Sequence, residues 1–335
     1  MTVKIGVNGF GRIGRNFFRA AKERGADVEF VAANDLISVE LIAHLLKYDT
    51  ILGTYKGDVE VVGDGIKVDG DTLRILAERD PKALPWGELG VDVVVESSGL
   101  FTTRDTAAQH LEAGAPLVII SAPGKDVDAT FVVGVNDDTF DRERHRVVSN
   151  ASCTTNCFVP MVKVLDDAFG VERGLMTTVH AYTGTQALVD GPSKDLREAR
   201  AAALNIVPSS TGAARATGLV LQAMNGRLDG QSLRVPVADG SITDFTAMLA
   251  RDVTAADVKD AFRAASESGP LSGGLLVYSE AAIVSSDIVG SAASCTFDGP
   301  LTMAMGNLVK VMGWYDNEWG YSNRLIDLVE RIASR

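Results

Sequence analysis

Hydrophobic and polar positions follow two regimes along the chain. Up to about Ser149, apolar runs of strand length recur between polar or glycine-rich turns. They are Val3 to Val7, Glu29 to Ala33, Leu73 to Ala77, Val91 to Glu96, Leu117 to Ser121, Phe131 to Val135 and Arg146 to Ser149. A helix-periodic segment with Phe17, Phe18 and Ala21 separates the first two. This alternation predicts a mostly parallel, doubly wound α/β sheet over residues 1–150. Gly63-Asp-Gly65 and Asp69-Gly70 bracket a short β-run and predict a hairpin elaboration.

The second regime opens with a helix-periodic run, Phe158 to Phe169, and a strand-like alternation, Leu175 to Tyr182. Gly184 to roughly Ala199 has little period and contains the breaker Asp190-Gly-Pro192. Loops of that length are seldom idle. Ser209-Ser-Thr-Gly212 caps a predicted helix from Ala213 to Met224. Four β-rich runs (Ser232–Val237, Ile242–Ala250, Gly274–Tyr278 and Leu308–Trp314), with a helix at Ala255–Ala265, predict an α+β domain of largely antiparallel sheet over residues 151–317. The closing segment 318–335 places Tyr321, Leu325, Leu328 and Ile332 on one helical face, which is expected to pack back on the first domain.

Composition narrows the partners. With 335 residues, two domains are the natural prior, and 46% hydrophobic and 23% charged residues are globular values. A net charge of −12 argues against nucleic acid or an anionic membrane as the main partner. No apolar run approaches the roughly 20 residues that span a bilayer. The N-terminus enters a strand pattern at once, so no signal peptide is expected and the predicted location is the cytoplasm. Three cysteines make no disulfide framework and fit a reducing compartment. Cys153 and Cys157, one helical turn apart, find no ligand-spaced partner among His44, His110, His145 and His180, so no metal site is expected.

Two stretches carry chemistry. Gly9-Phe-Gly11-Arg-Ile-Gly14 lies between a strand and a helix, where glycines serve the tight turn, the approach of a pyrophosphate and helix–strand packing. Asp35 lies 21 residues beyond Gly14, at the end of the next strand, where a carboxylate accepts both adenosine ribose hydroxyls and repels a 2′-phosphate. Helix capping of its own is the plainer role for Asp35. NAD is therefore the expected cofactor. The second stretch is Ser149-Asn-Ala-Ser-Cys-Thr-Thr-Asn-Cys157, rich in capping residues, so a helix is predicted to begin within a residue or two of Cys153. A thiol there meets unpaired N–H groups and the helix dipole, which predicts a lowered pKa and an oxyanion site.

These motifs, with His180-Ala-Tyr-Thr183, Asn205-Ile-Val-Pro-Ser-Ser-Thr-Gly-Ala-Ala214, Arg234-Val-Pro236 and Trp314-Tyr-Asp-Asn-Glu-Trp-Gly320, closely resemble the phosphorylating glyceraldehyde-3-phosphate dehydrogenase family from Lys4 to about Leu328. The resemblance implies a Rossmann-type first domain and a catalytic second domain. It makes Cys153 the nucleophile and His180 its base. It gives the dinucleotide to Gly9, Gly11, Arg12, Ile13, Gly14, Asp35, Arg79, Ser121 and Asn317, with the Asn317 amide pairing the nicotinamide carboxamide. It gives two phosphate groups, one on glyceraldehyde 3-phosphate and one from inorganic phosphate, to Ser152, Thr154, Thr183, Thr211, Gly212 and Arg234. It also implies a homotetramer in which the loop around 184–200 lines the neighbouring subunit's cofactor site.

The plainer roles are a buried, satisfied histidine for His180, an ion pair with Asp244 for Arg234, and helix caps for Thr211 and Asn317. The chain departs from the family pattern at four places. Arg197-Glu198 replaces consecutive arginines of some branches, and Glu198 cannot bind phosphate. Ser98 stands for a usual threonine, Arg215 for a usual lysine, and Gly191-Pro192 keeps the proline of NAD-preferring members without a bulky residue before it. Two other readings remain open at the level of sequence: oxidation of erythrose 4-phosphate with hydrolysis of the thioester, and a dinucleotide-binding redox sensor that uses Cys153 as an oxidisable thiol.

Overall fold

A computed structural model describes residues 2–333, so positions 1, 334 and 335 of the predicted spans lie outside the described residues. The chain divides into two compact units. The first comprises residues 1–133, 137–152 and 322–335, and the second 134–136 and 153–321.

The first unit is built on β1 (Val3–Asn8), α1 (Arg12–Arg24), β2 (Val28–Asn34), α2 (Val39–Lys47), β3 (Val59–Val62), β4 (Gly65–Val68), β5 (Asp71–Leu76), three single turns α3 (Trp86–Leu89), α4 (Arg104–Ala107) and α5 (Gln109–Glu112), β6 (Val93–Glu96), β7 (Val118–Ile120), β8 (Ala129–Thr130) and β9 (Val147–Ser149). Its nine-stranded sheet runs β3-β4-β5-β2-β1-β6-β7-β9-β8. All pairs from β5 to β8 are parallel, and β3-β4-β5 is an antiparallel meander at one edge. The expected hairpin is this meander. β6 is wholly buried, as a central parallel strand covered on both faces must be.

The predicted strand Phe131 to Val135 is not one. Only Ala129–Thr130 pair with β9, and the chain turns at Gly134, with φ +82°. Phe131, Val132 and Val133 are buried all the same. Their apolar pattern reports burial, which an irregular buried segment shares with a strand.

The second unit contains α6 (Cys153–Phe169), β10 (Val171–Ala181), β11 (Val207–Ser210), α7 (Ala213–Val220), β12 (Leu228–Val235), β13 (Ser241–Leu249), α8 (Ala255–Glu267), β14 (Leu276–Ser279), the short turn α9 (Ser285–Ile288), β15 (Cys295–Asp298), β16 (Met303–Met305) and β17 (Leu308–Tyr315). Its main sheet order is β11-β12-β10-β13-β17-β15-β14, largely antiparallel, with β10–β12 and β14–β15 parallel. The helix predicted for 213–224 breaks after Val220 and resumes as a 3-10 turn at Gln222–Met224. One core joins Phe158, Met161 and Leu165 of α6 to Met176, Phe245, Val311, Tyr315 and Phe262. The closing helix α10 (Trp319–Ile332) crosses the boundary, and its residues from Ser322 onward belong to the first unit.

Candidate active site

In the first unit, the carboxyl ends of the parallel strands are laced together by buried side chains. Asn8 donates to Glu96 at 2.6 Å, Asn34 donates to Asn8 at 2.7 Å and to the Glu78 carbonyl at 2.8 Å, and Glu96 accepts from the Ser98 N–H at 2.8 Å. Trp86 Nε1 donates to His110 Nδ1 at 3.0 Å. The His110 proton is therefore on Nε2, which donates to Glu96 at 2.9 Å. This network fixes the turns that follow β1, β2 and β6. Sequence reading missed it, although Glu96 ends a predicted strand and Asn8 and Asn34 directly follow two others.

The glycine turn sits on this frame. Gly9 has φ +91°, and a Cβ there would lie 2.4 Å from the Ser98 nitrogen. A Cβ on Gly14 would meet the Gly9 carbonyl at 2.4 Å, whereas one on Gly11 would meet nothing within 4 Å. Gly9 and Gly14 thus serve packing, and Gly11 faces open space at the start of α1. That space and the helix N-terminus suit a pyrophosphate. Asp35 is held there as well: its carboxylate accepts from the Phe10 N–H at 2.9 Å. Capping of the next helix falls to Ser38, not to Asp35. Arg12 grips Asp49 with both terminal nitrogens (2.8 and 3.4 Å), so its side chain is committed and its backbone N–H, with that of Ile13, lies in the first turn. Ser121 follows β7 and shares a 2.7 Å hydrogen bond with Ser97, and Arg79 is exposed beyond β5. These residues fit a dinucleotide.

In the second unit, the Cys–His pair follows from strand alternation. Met176, Thr178 and His180 share the buried face of β10. The helix α6 covers that face and begins at Cys153 itself. Cys153 Sγ lies 3.4 Å from His180 Nε2. Cys157, one turn on, is fully buried against the Gly313 carbonyl at 3.5 Å and has no such partner.

The electrostatics differ from the expectation at Cys153. Burial pushes the Cys153 thiol up, against the opposing pull of the Arg234 guanidinium and of hydrogen bonds from Thr154. The backbone hydrogen bonds at the helix start oppose the rise without reversing it. His180 is pushed down to about 3, first by burial and then by the Arg234 charge. Its imidazole is neutral. Its Nδ1 faces two neighbours of opposite demand: the Ala181 carbonyl, an acceptor, at 2.7 Å, and Arg234 Nη1, a donor, at 2.7 Å. With Nδ1 accepting from Arg234, the proton resides on Nε2 and points at sulfur. With Nδ1–H donating to Ala181, Nε2 offers sulfur a lone pair.

Arg234 has no ion pair with Asp244, which Lys310 holds at 2.6 Å. The Thr211 hydroxyl accepts from the Ala213 N–H at 3.2 Å at the start of α7, beside Gly212. The Thr183 hydroxyl is paired with that of Thr185 at 2.9 Å. The Thr154 hydroxyl shares a 2.8 Å hydrogen bond with that of Tyr315, which also shares one with Thr178 at 2.7 Å. Ser152, immediately before α6, is half-buried and belongs to the first unit. Asn317 is 5% exposed, and its carbonyl accepts from Ser241 Oγ at 2.7 Å, which leaves the amide NH2 as its donor. Tyr315, Ser241 and Asp316 were not singled out in the sequence, though Tyr315 and Asp316 lie inside the tail motif.

A glycine-turn unit that fits a dinucleotide and a unit with a close Cys–His pair point to a class, the dinucleotide-dependent oxidoreductases. Comparison with known proteins gives the family. Residues 3–104 match "Glyceraldehyde 3-phosphate dehydrogenase, NAD binding domain" and residues 152–317 match "Glyceraldehyde 3-phosphate dehydrogenase, C-terminal domain". The chain is 59% identical over 336 residues to the glyceraldehyde-3-phosphate dehydrogenase of Streptomyces coelicolor, covering all of both chains. It is 57% identical to that of Mycolicibacterium smegmatis and 58% to that of Mycobacterium bovis, with 99% of each chain covered. The chain belongs to the glyceraldehyde-3-phosphate dehydrogenase family. It is an NAD-dependent oxidoreductase. Among the described residues no helix is long and apolar enough to cross a membrane.

Proposed function

We propose that the chain oxidises glyceraldehyde 3-phosphate with NAD and inorganic phosphate to the 1,3-bisphosphoglycerate acyl phosphate, as a cytoplasmic homotetramer. The 3.4 Å Cys153–His180 contact is the observation that carries this reading. The dinucleotide falls to Gly9, Gly11, the Arg12 and Ile13 backbone, Gly14, Asp35, Arg79 and Ser121, with Asn317 for the nicotinamide carboxamide. When bound, NAD takes up the hydride.

The residues do the rest. Cys153 sulfur bonds to the aldehyde carbon, and its proton passes to His180 Nε2, which needs the Nδ1–H tautomer supported by Ala181. An anionic substrate recruits Arg234, which takes its charge off Nδ1 and restores that tautomer. The imidazolium returns the thiol proton to the alkoxide formed at the aldehyde oxygen, giving the hemithioacetal hydroxyl, and Nε2 takes it back as hydride departs, leaving a thioester. Inorganic phosphate then attacks the thioester carbonyl, the C–S bond breaks, and Cys153 leaves as thiolate. Thr183 and Arg234 hold the substrate phosphate. Ser152, Thr154, Thr211 and Gly212 hold the attacking one, and the N–H groups at the start of α7 favour that anion.

The exposed Leu188, Val189, Leu196, Leu204 and Ile206 in and after the long loop support burial against other subunits. The test is reduced-nicotinamide absorbance with glyceraldehyde 3-phosphate, with and without inorganic phosphate. Cys153→Ser is expected to abolish turnover. Thr211→Ala is expected to raise the KM for phosphate several-fold and leave the hydride burst intact. An unchanged phosphate KM with a raised aldehyde KM would mean that the two anion sites are reversed. Phosphate-independent turnover would favour hydrolysis of the thioester instead.

A further inference from the structure

Two buried acids lie behind Asn317, both in the second unit. Asp316, 1% exposed, follows β17, and Asp239, 3% exposed, lies in the turn between β12 and β13. Asp316 is well satisfied. Its Oδ1 accepts from the N–H groups of Glu318 (2.8 Å) and Trp319 (2.6 Å), and its Oδ2 accepts from Gly290 N–H at 2.8 Å. That is the setting of an ionised helix cap. Asp239 is not satisfied. Its Oδ1 accepts only the N–H of its own neighbour Gly240 at 2.8 Å, and its Oδ2 is buried with no hydrogen-bond donor.

A buried carboxylate oxygen without a donor is untenable as an anion. The charged groups that act most strongly on it, Asp316 and Glu318, are themselves acidic. A proton on Oδ2 resolves both problems, because the oxygen becomes a donor and the side chain paired with Asp239, that of Asp316, is an acceptor. The direction of titration agrees. Asp239 is pushed up to about 8, first by burial and then by the charges of Asp316 and Glu318. Asp316 is also raised by burial, but its backbone donors oppose the rise.

The same two turns meet again at the Ser241–Asn317 hydrogen bond, and Ser241 Oγ also accepts from the N–H of Ala181, next to His180. The Asp239-Gly240-Ser241 turn has little freedom to adjust. Gly240 has φ +85°, and a Cβ there would lie 2.3 Å from the Ser285 carbonyl.

We propose that Asp239 is a positioning residue: held as the undissociated acid, it donates from Oδ2 to the Asp316 carboxylate, and this hydrogen bond fixes the turn that presents Asn317 to the dinucleotide. The proposal rests on the assignment of Asn317 to the nicotinamide carboxamide. Its consequence is pH dependence. Loss of the Asp239 proton brings two buried carboxylates and Glu318 together without a bridging hydrogen, and the Asn317 turn loosens.

The test compares wild type, Asp239→Asn and Asp239→Leu by NAD titration from pH 6.5 to 9.5. Asparagine keeps a donor and cannot titrate. The expected result is wild-type affinity that falls by up to roughly tenfold per pH unit once Asp239 ionises, a flat profile for Asp239→Asn, and weak binding at every pH for Asp239→Leu. A second measurement needs no variant to bind cofactor: infrared difference spectra of the wild type between pH 6.5 and 9.5 should show the carbonyl band of a buried protonated acid disappearing.

Thermal unfolding supplies the sign. A folded pKa raised from 3.8 to about 8 gives stability that is full below 3.8 and is lost as pH rises through about 8. The melting temperature of the wild type relative to Asp239→Asn should therefore fall across that window. An Asp239→Asn profile that still titrates like the wild type, or no protonated-acid band at pH 6.5, would overturn the proposal. Asn317→Ala separates the two readings. If it leaves NAD affinity unchanged, the assignment of Asn317 fails, while the infrared and melting data still decide whether Asp239 holds the proton.

Discussion

At the scale of single residues, the decisive contact is between Arg234 and the far side of His180. A guanidinium always donates, so it selects the imidazole tautomer that is useless as a base toward Cys153. The same charge lowers both the histidine and the thiol. Removing it should therefore separate the two effects. In Arg234→Ala, Nδ1–H is left to Ala181 alone, and nitrogen-detected NMR of the His180 ring should move from the Nε2–H to the Nδ1–H form. The thiol loses the attraction of that cation, so the midpoint pH for alkylation of Cys153 by iodoacetamide should rise. A wild-type His180 already in the Nδ1–H form would refute the tautomer argument. None of this was legible in the sequence. Local pattern located the thiol at a helix start, but the direction of its shift depends on burial, which strands as distant in sequence as β17 supply.

Elements explain what was legible. The strand–glycine–helix unit is read locally because each of its constraints lies within a few residues, and the structure separates the roles of its glycines. Gly9 and Gly11 therefore allow a paired prediction. Gly9→Ala forces a Cβ to within 2.4 Å of the Ser98 backbone in a left-handed conformation. It should lower the melting temperature by several degrees and abolish NAD binding with it. Gly11→Ala enters open space, so the melting temperature should hold while NAD affinity falls at least tenfold, because the methyl takes room that a pyrophosphate needs. Equal effects of the two on melting would show that Gly11 is a packing glycine after all. The Cys–His encounter was legible only by family resemblance. It depends on the register that places His180 on the inner face of β10, and a one-residue slip would turn it outward. Phe131 to Val135 was misread for the opposite reason, since there the pattern was strong and the backbone departed from it at Gly134.

For the molecule as a whole, charge and length predicted two soluble-type units and no nucleic-acid surface, and the apolar residues they leave exposed bear on assembly. On the second sheet, Met176, Phe245 and Val311 face the core, whereas the alternate positions Leu175, Thr246, Met248 and Leu308 face a cleft of about 970 Å3 that also carries Arg173, Arg215 and Lys310. Leu175 is 68% exposed, and in the long loop Leu188 and Leu196 are 83% and 87% exposed. The proposed tetramer would cover this amphipathic sheet face and apolar loop. Glu198 contributes here in a way that phosphate binding would not: it accepts from Ser209 Oγ at 2.5 Å and ties the loop to β11. A charge placed on the sheet face should then weaken assembly without touching the chemistry of the Cys153–His180 pair. Leu175→Asp introduces an acid where a partner would bury an apolar side chain, which leaves an unpaired charge in the interface. Sedimentation velocity is expected to show a tetramer for the wild type and smaller, concentration-dependent species for Leu175→Asp. Alkylation of Cys153 should proceed at the wild-type rate in both. A monomeric wild type would remove the tetramer from the proposed function. An unshifted tetramer in Leu175→Asp would move the contact from the sheet face to the loop, where Leu188→Asp is the corresponding change.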